Sequence, residues 1–104
     1  MKQLTEDELK NWRRFHIPGC SRIHTIKIDA IFISTANSLT HELKKSEICY
    51  NIKKEGHHFI TEAATGDQRH DVVDITNAEI YEIETTEARA RRHPKNINVI
   101  MVKP

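Results

Sequence analysis

Apolar and polar positions change their spacing at Gly56, from the three-to-four-residue recurrence of helices to the shorter period of strands. Upstream, Thr5 followed three residues later by Glu8 forms a capping-box pattern, with Leu9, Trp12 and Phe15 or His16 behind it at helical spacing. These residues predict a helix over 6–15, closed by Ile17-Pro18-Gly19. Residues 21–36 read two ways. Ile23, Ile26, Ala30 and Ile33 fit a helix, the β-branched richness of IKIDAIFIST favours a strand, and the helix is the reading adopted. Residues 37–54 predict a longer helix, in which Leu39, Leu43 and Tyr50, with Cys49 and Ile52 beside them, make the apolar stripe and Glu42 flanks it. Gly56 stands where a helix C-terminal glycine belongs.

Downstream, residues 57–63, 70–75 and 79–85 are short runs rich in β-branched or aromatic residues. The connection TNA suits a hairpin, with Asn77 as the residue able to turn left-handed. TEARARRH is helical in composition and is stopped by Pro94, after which 97–102 reads as a last strand. From residue 37 the expected order is helix, three strands, helix, strand: an α/β domain with a mixed four-stranded sheet flanked by helices. Residues 1–36 are an N-terminal helical extension of this single domain, 1–104, and 37–104 are its core.

Composition narrows the reading. One core fits a chain of 104 residues, 38% apolar and 30% charged. A net charge of +1 excludes the global basic signature of proteins that coat nucleic acid, so such contacts must come from local clusters. Cys20 and Cys49 lack framework spacing and read as reduced thiols. No stretch approaches the roughly 20 apolar residues of a membrane span, and MKQLTEDELK lacks a signal-peptide core, so a soluble, cytoplasmic protein is expected.

The chemistry concentrates in RHDVVDITNAEIYEIETT, residues 69–86. In a strand Ile80, Glu82 and Glu84 share one face and Tyr81 and Ile83 the other, which puts two carboxylates on a run that otherwise looks buried. Buried carboxylates need a cation or donors nearby. Asp71, Glu82 and Glu84, with Glu42 from the long helix, can supply the oxygen donors that Mg²⁺ requires. The alternative is a solvated face, or ion pairs with Arg89 or Arg92.

The element order, with Glu42 on the first helix, RHDVVDI on the second strand and EIYEIETT on the third, resembles the PD-(D/E)XK, or restriction-endonuclease-like, nuclease superfamily over residues 37–103. His70-Asp71 stands at the family's Pro-Asp, Glu82 at its acidic residue and Ile83 at its X. The resemblance implies Mg²⁺ (or Mn²⁺) held by Asp71, Glu82 and the Ile83 carbonyl, often with help from the helix residue Glu42, and hydrolysis of a phosphodiester by water. Glu84 occupies the position of the motif lysine. A carboxylate cannot supply that positive charge, so Glu84 is an added ligand, or Lys45 or Arg89 supplies the cation, or the fold persists without catalysis.

Arg89, Arg91, Arg92 and Lys95, with Lys44 on the long helix, are the candidate phosphate contacts; helix-end arginines that complement a dipole are the alternative. The expected partner is DNA, RNA remaining open, and a homodimer through the N-terminal helix would widen so small a footprint. A non-catalytic nucleic-acid-binding or interaction module is the rival function. A zinc site from Cys20, His24, His57, His58 and His70 lacks paired spacing, and Cys49, on the apolar side of a helix, makes a poor nucleophile.

Overall fold

Helix α1, Glu6–Arg13, begins as its sequence requires. The Thr5 hydroxyl accepts from the Glu8 amide at 3.1 Å and the Glu8 carboxylate accepts from the Thr5 amide at 2.8 Å. The other Glu8 oxygen accepts from the Thr76 hydroxyl at 2.6 Å, and the Asn11 side chain donates to the Ile75 carbonyl at 2.7 Å, so α1 is docked within its own chain. These coordinates are a computed structural model describing residues 4–18, 26–94 and 96–103, without the side chains of 87 and 88. Cys20, His24 and Lys95 lie outside the described residues.

Four strands follow helix α2, Leu39–Lys54: β1, Phe59–Thr65; β2, Gln68–Asp74; β3, Glu79–Glu84; and β4, Ile97–Met101, which is reached through the short helix α3, Glu87–Ala90. They lie in the order β1-β2-β3-β4, antiparallel except for the parallel pair β3 and β4. The chain is therefore α/β with a mixed four-stranded sheet. Strand alternation divides the core in two. Phe59, Val72 and Ile83 pack on Ile48, Cys49 and Ile52 of α2, whereas Ile60, Val73 and Ile75 pack on Phe15 and Ile26 from the N-terminal side. His16 pairs with Ala64 through two 2.9 Å backbone bonds and covers the outer edge of β1.

Three sequence expectations are corrected. Residues 26–36 form turns and extended chain, not a helix, because polar side chains pin them between β1 and α2. Asp29, at φ 62°, accepts from the Phe59 amide and from Lys53, while the Thr61 hydroxyl donates to the Ala30 carbonyl and accepts from the Phe32 amide. The stripe of α2 is also different: Leu39, Leu43 and Tyr50 are exposed, and the buried side is His41, Glu42, Lys45, Ile48, Cys49 and Ile52. Finally, the left-handed residue of the β2–β3 turn is Ala78 (φ 57°), while the Asn77 and Thr76 amides donate to Asp74.

Lys45 sets which side of α2 is buried. The Lys45 side chain is fully buried, and its Nζ lies 2.6 Å from both Glu42 Oε1 and the Phe32 carbonyl, and 3.7 Å from Glu62. Burial alone would raise the Glu42 carboxyl, but hydrogen bonds from Lys45, the Ser34 amide and His41, together with the Lys45 charge, hold it down to about 2. Removing one partner leaves the other buried without compensation, so Lys45→Ala is expected to lose about 3–5 kcal/mol, read from urea denaturation. A lowered carboxyl contributes stability fully above its ordinary value of 4.5, and that contribution disappears as pH falls through about 2. Wild type should accordingly lose its advantage over Glu42→Gln across that window, measured as the difference between their urea midpoints.

Candidate functional site: a carboxylate cleft at the parting of two strands

The backbone opens the site. Glu62 adopts φ 51°, and the Glu62–Asp71 step is missing from the β1–β2 register. Facing slips there by one residue. Ile60 and Ala63 pack in the same cluster, while across the ladder Val73 and His70 both reach it, the His70 ring standing edge-on to Phe15 at 5.9 Å. Beyond the slip β2 and β3 part, their register ending at Val72↔Tyr81. The Ile83 amide instead donates to Asp71 Oδ2 at 2.7 Å.

A cleft of about 410 Å³ occupies this gap, lined by Ala36, Asn37, Ser38, His41, Asp71, Glu82, Ile83, Glu84, Thr85 and Arg89. It gathers Asp71, Glu82, Ile83, Glu84 and Arg89 from the residues singled out in the sequence. Glu42 is close behind, in contact with the cleft residue His41 at 2.7 Å, but turned into the Lys45 network. Lys45 is fully buried in that network and does not line the cleft. Lys44 pairs with Glu47 at 3.0 Å and lines a different cleft, with Tyr81 and Ile100. Arg91 and Arg92 are exposed after α3.

A histidine stands beside each carboxylate. His70 Nδ1 lies 3.0 Å from Glu82 Oε1 and its Nε2 is 2.8 Å from the Thr65 hydroxyl; His93 Nε2 is 3.0 Å from Glu84 Oε1; His41 Nε2 is 3.4 Å from Asp71 Oδ2. Burial raises the Asp71 carboxyl, against the Ile83 amide and the His41 and Lys45 charges, which lower it. Burial likewise raises Glu82, with the His70 hydrogen bond opposing and the Asp71 charge adding to the rise. Ligand atoms of Glu82, Glu84 and His93 all lie within 4.8 Å of one another; Asp71 lines the same cleft but is not in that group. His41 and His93 were missed from sequence. The (D/E)XK spacing could not locate them, because one sits across the sheet on α2 and the other beyond α3.

The remaining candidates are occupied elsewhere. His57 pairs with Asp74 at 2.8 Å and His58 with Asp29 at 2.6 Å. The Cys49 thiol is pushed up to about 12, first by burial. Among the described residues no helix is long and apolar enough to cross a membrane.

Compared with protein-family models, curated proteins and solved structures, the chain matches none.

Crowded carboxylates oppose folding once ionised. Glu82, whose carboxyl is raised, destabilises the fold above its folded value and has no such effect below 4.5. Glu82→Gln is expected to raise stability by about 1 kcal/mol at alkaline pH. Urea midpoints should show the gain shrinking as pH falls toward 4.5.

Proposed function

We propose that this chain is a metal-dependent nuclease with a restriction-endonuclease-like core, hydrolysing phosphodiester bonds in DNA. The observation that carries the reading is the convergence of Asp71, Glu82, Ile83, Glu84 and Arg89 on one cleft. The order α2-β1-β2-β3-α3-β4 around a mixed sheet is also the one the PD-(D/E)XK resemblance implies.

The donors suit a divalent cation. Glu82 is nine-tenths buried, its Oε1 is held by His70, and no donor among the described residues meets its Oε2. Glu82 and Glu84 would hold Mg²⁺ or Mn²⁺, with Asp71 and Ile83 lining the same cleft beside them. Such an ion, when bound, lowers the pKa of water and offsets charge on phosphoryl oxygens.

The chain's own groups supply the rest. Arg89, exposed at the cleft, meets the phosphate and fills the role of the absent motif lysine, since Lys45 is enclosed. Glu42, 2.7 Å from His41 Nδ1, orients the ring so that its Nε2 stands on the cleft side, 3.4 Å from Asp71 Oδ2. Nucleic-acid binding without catalysis is the second reading, favoured by the negative charge of Glu84 where the motif has a lysine.

The test is cleavage of branched, single-stranded and duplex DNA, and of RNA, with Mg²⁺, Mn²⁺ or chelator. Cleavage should require the ion and fall about 100-fold in Asp71→Ala. Activity persisting in that variant or under chelation defeats the nuclease reading, whereas ion-independent binding without cleavage supports the second one. Arg89→Ala should weaken DNA binding and reduce the slope of log affinity against log salt by about 1.

A further inference from the structure

We infer that the cation site selects a first-row transition ion over Mg²⁺, with His93 as a nitrogen ligand beside Glu82 and Glu84. The inference rests on the metal-dependent reading above and deepens it by naming the class of ion. His93 belongs to the connection between α3 and β4, outside the D…EXE pattern, yet one of its ring nitrogens is within 4.8 Å of carboxylate oxygens on both glutamates. The ring is half-buried, which limits its freedom to turn away.

An independent observation comes from Glu82. Its side chain is nine-tenths buried, and its Oε1 is fixed by His70, itself held at Nε2 by the Thr65 hydroxyl. Its Oε2 meets no donor among the described residues, although Glu82 lines the cleft. An oxygen of a cleft-lining carboxylate that accepts from no such donor is open to a cation. The chain Thr65–His70–Glu82 also has the form of the outer-shell support that orients a ligating carboxylate.

The donor set determines the class. Mg²⁺ demands near-ideal octahedral geometry, keeps several waters and is bound through oxygen. Imidazole nitrogen with two carboxylates suits the softer first-row ions, whose affinity for mixed nitrogen and oxygen sites rises from Mn²⁺ to Cu²⁺. Mn²⁺ is the weakest binder of that series. It therefore makes the strictest probe, because a site that prefers Mn²⁺ to Mg²⁺ will prefer the later ions too.

The experiment loads the full chain with Mn²⁺ and reads electron spin echo envelope modulation together with the free-ion signal, in the absence of nucleic acid. The expected result is one bound Mn²⁺ with ¹⁴N modulation from a directly bound imidazole, retained against about a tenfold excess of Mg²⁺. His93→Gln should remove the modulation and reduce the Mn²⁺ preference about tenfold. His93→Asp, which restores an oxygen donor, should keep Mn²⁺ bound while losing both the modulation and the preference. Circular dichroism on each variant separates ligand loss from unfolding, and the wild-type nitrogen signal is decisive if either variant fails to fold. Bound Mn²⁺ without nitrogen modulation, or modulation that survives in His93→Gln, overturns the inference and leaves the nuclease reading standing. Failure of both Mn²⁺ and Mg²⁺ to bind overturns the two together.

Discussion

A single buried ammonium organises the packing of α2. Lys45 has no access to solvent, so its charge must be met inside the protein, and Glu42 and the Phe32 carbonyl meet it at 2.6 Å. Because those partners come from α2 itself and from the extended 29–34 segment, one charge joins helix, segment and sheet. Glu42 then accepts from the Ser34 amide and the His41 ring, and His41 reaches Asp71. Fold stability and cleft geometry thus share one polar network. The face of α2 that carries it cannot be the most apolar face, which is why Leu39, Leu43 and Tyr50 are left outside.

The cleft shows the opposite balance. There Asp71 and Glu82 are raised by burial, and each carboxylate has a histidine as its nearest cation-capable neighbour rather than a lysine or arginine. Histidines therefore set the geometry of the three carboxylates. Backbone strain reinforces this. Glu62 holds a left-handed conformation opposite Asp71, its Oε2 is buried without a partner, and burial raises its carboxyl. Residues so arranged lower stability locally, and the surrounding core of Ile60, Val72, Val73 and Ile75 offsets them.

Much of this was legible in the chain because local rules governed it. Thr5 and Glu8 announced the start of α1, the change of period at Gly56 separated helix from sheet, and alternation in EIYEIE placed two glutamates together. What was not legible depended on groups distant in sequence. Residues 26–36 have an apolar spacing compatible with a helix, but Thr61 and Glu42 take up their backbone groups in an extended form, and the Asp29 carboxylate accepts from the Phe59 amide of β1. Apolarity does not mark the buried side of α2, because a paired Lys45 and Glu42 occupy it. His93 could not be found by motif spacing, since only the fold of α3 back toward β3 brings it to Glu84.

Under the proposed nuclease reading, Glu84 stands where a lysine is expected, and the geometry shows what surrounds that position. With glutamate, the same position adds an oxygen donor and His93 Nε2 lies 3.0 Å from it. Positive charge at the cleft is supplied instead from its rim by Arg89, while Lys45 remains committed to the core. Positions 84 and 93 are therefore joined by direct contact across the α3 connection. Within the proposed nuclease reading, the glutamate at position 84 is accordingly a rearrangement of donors around one cleft.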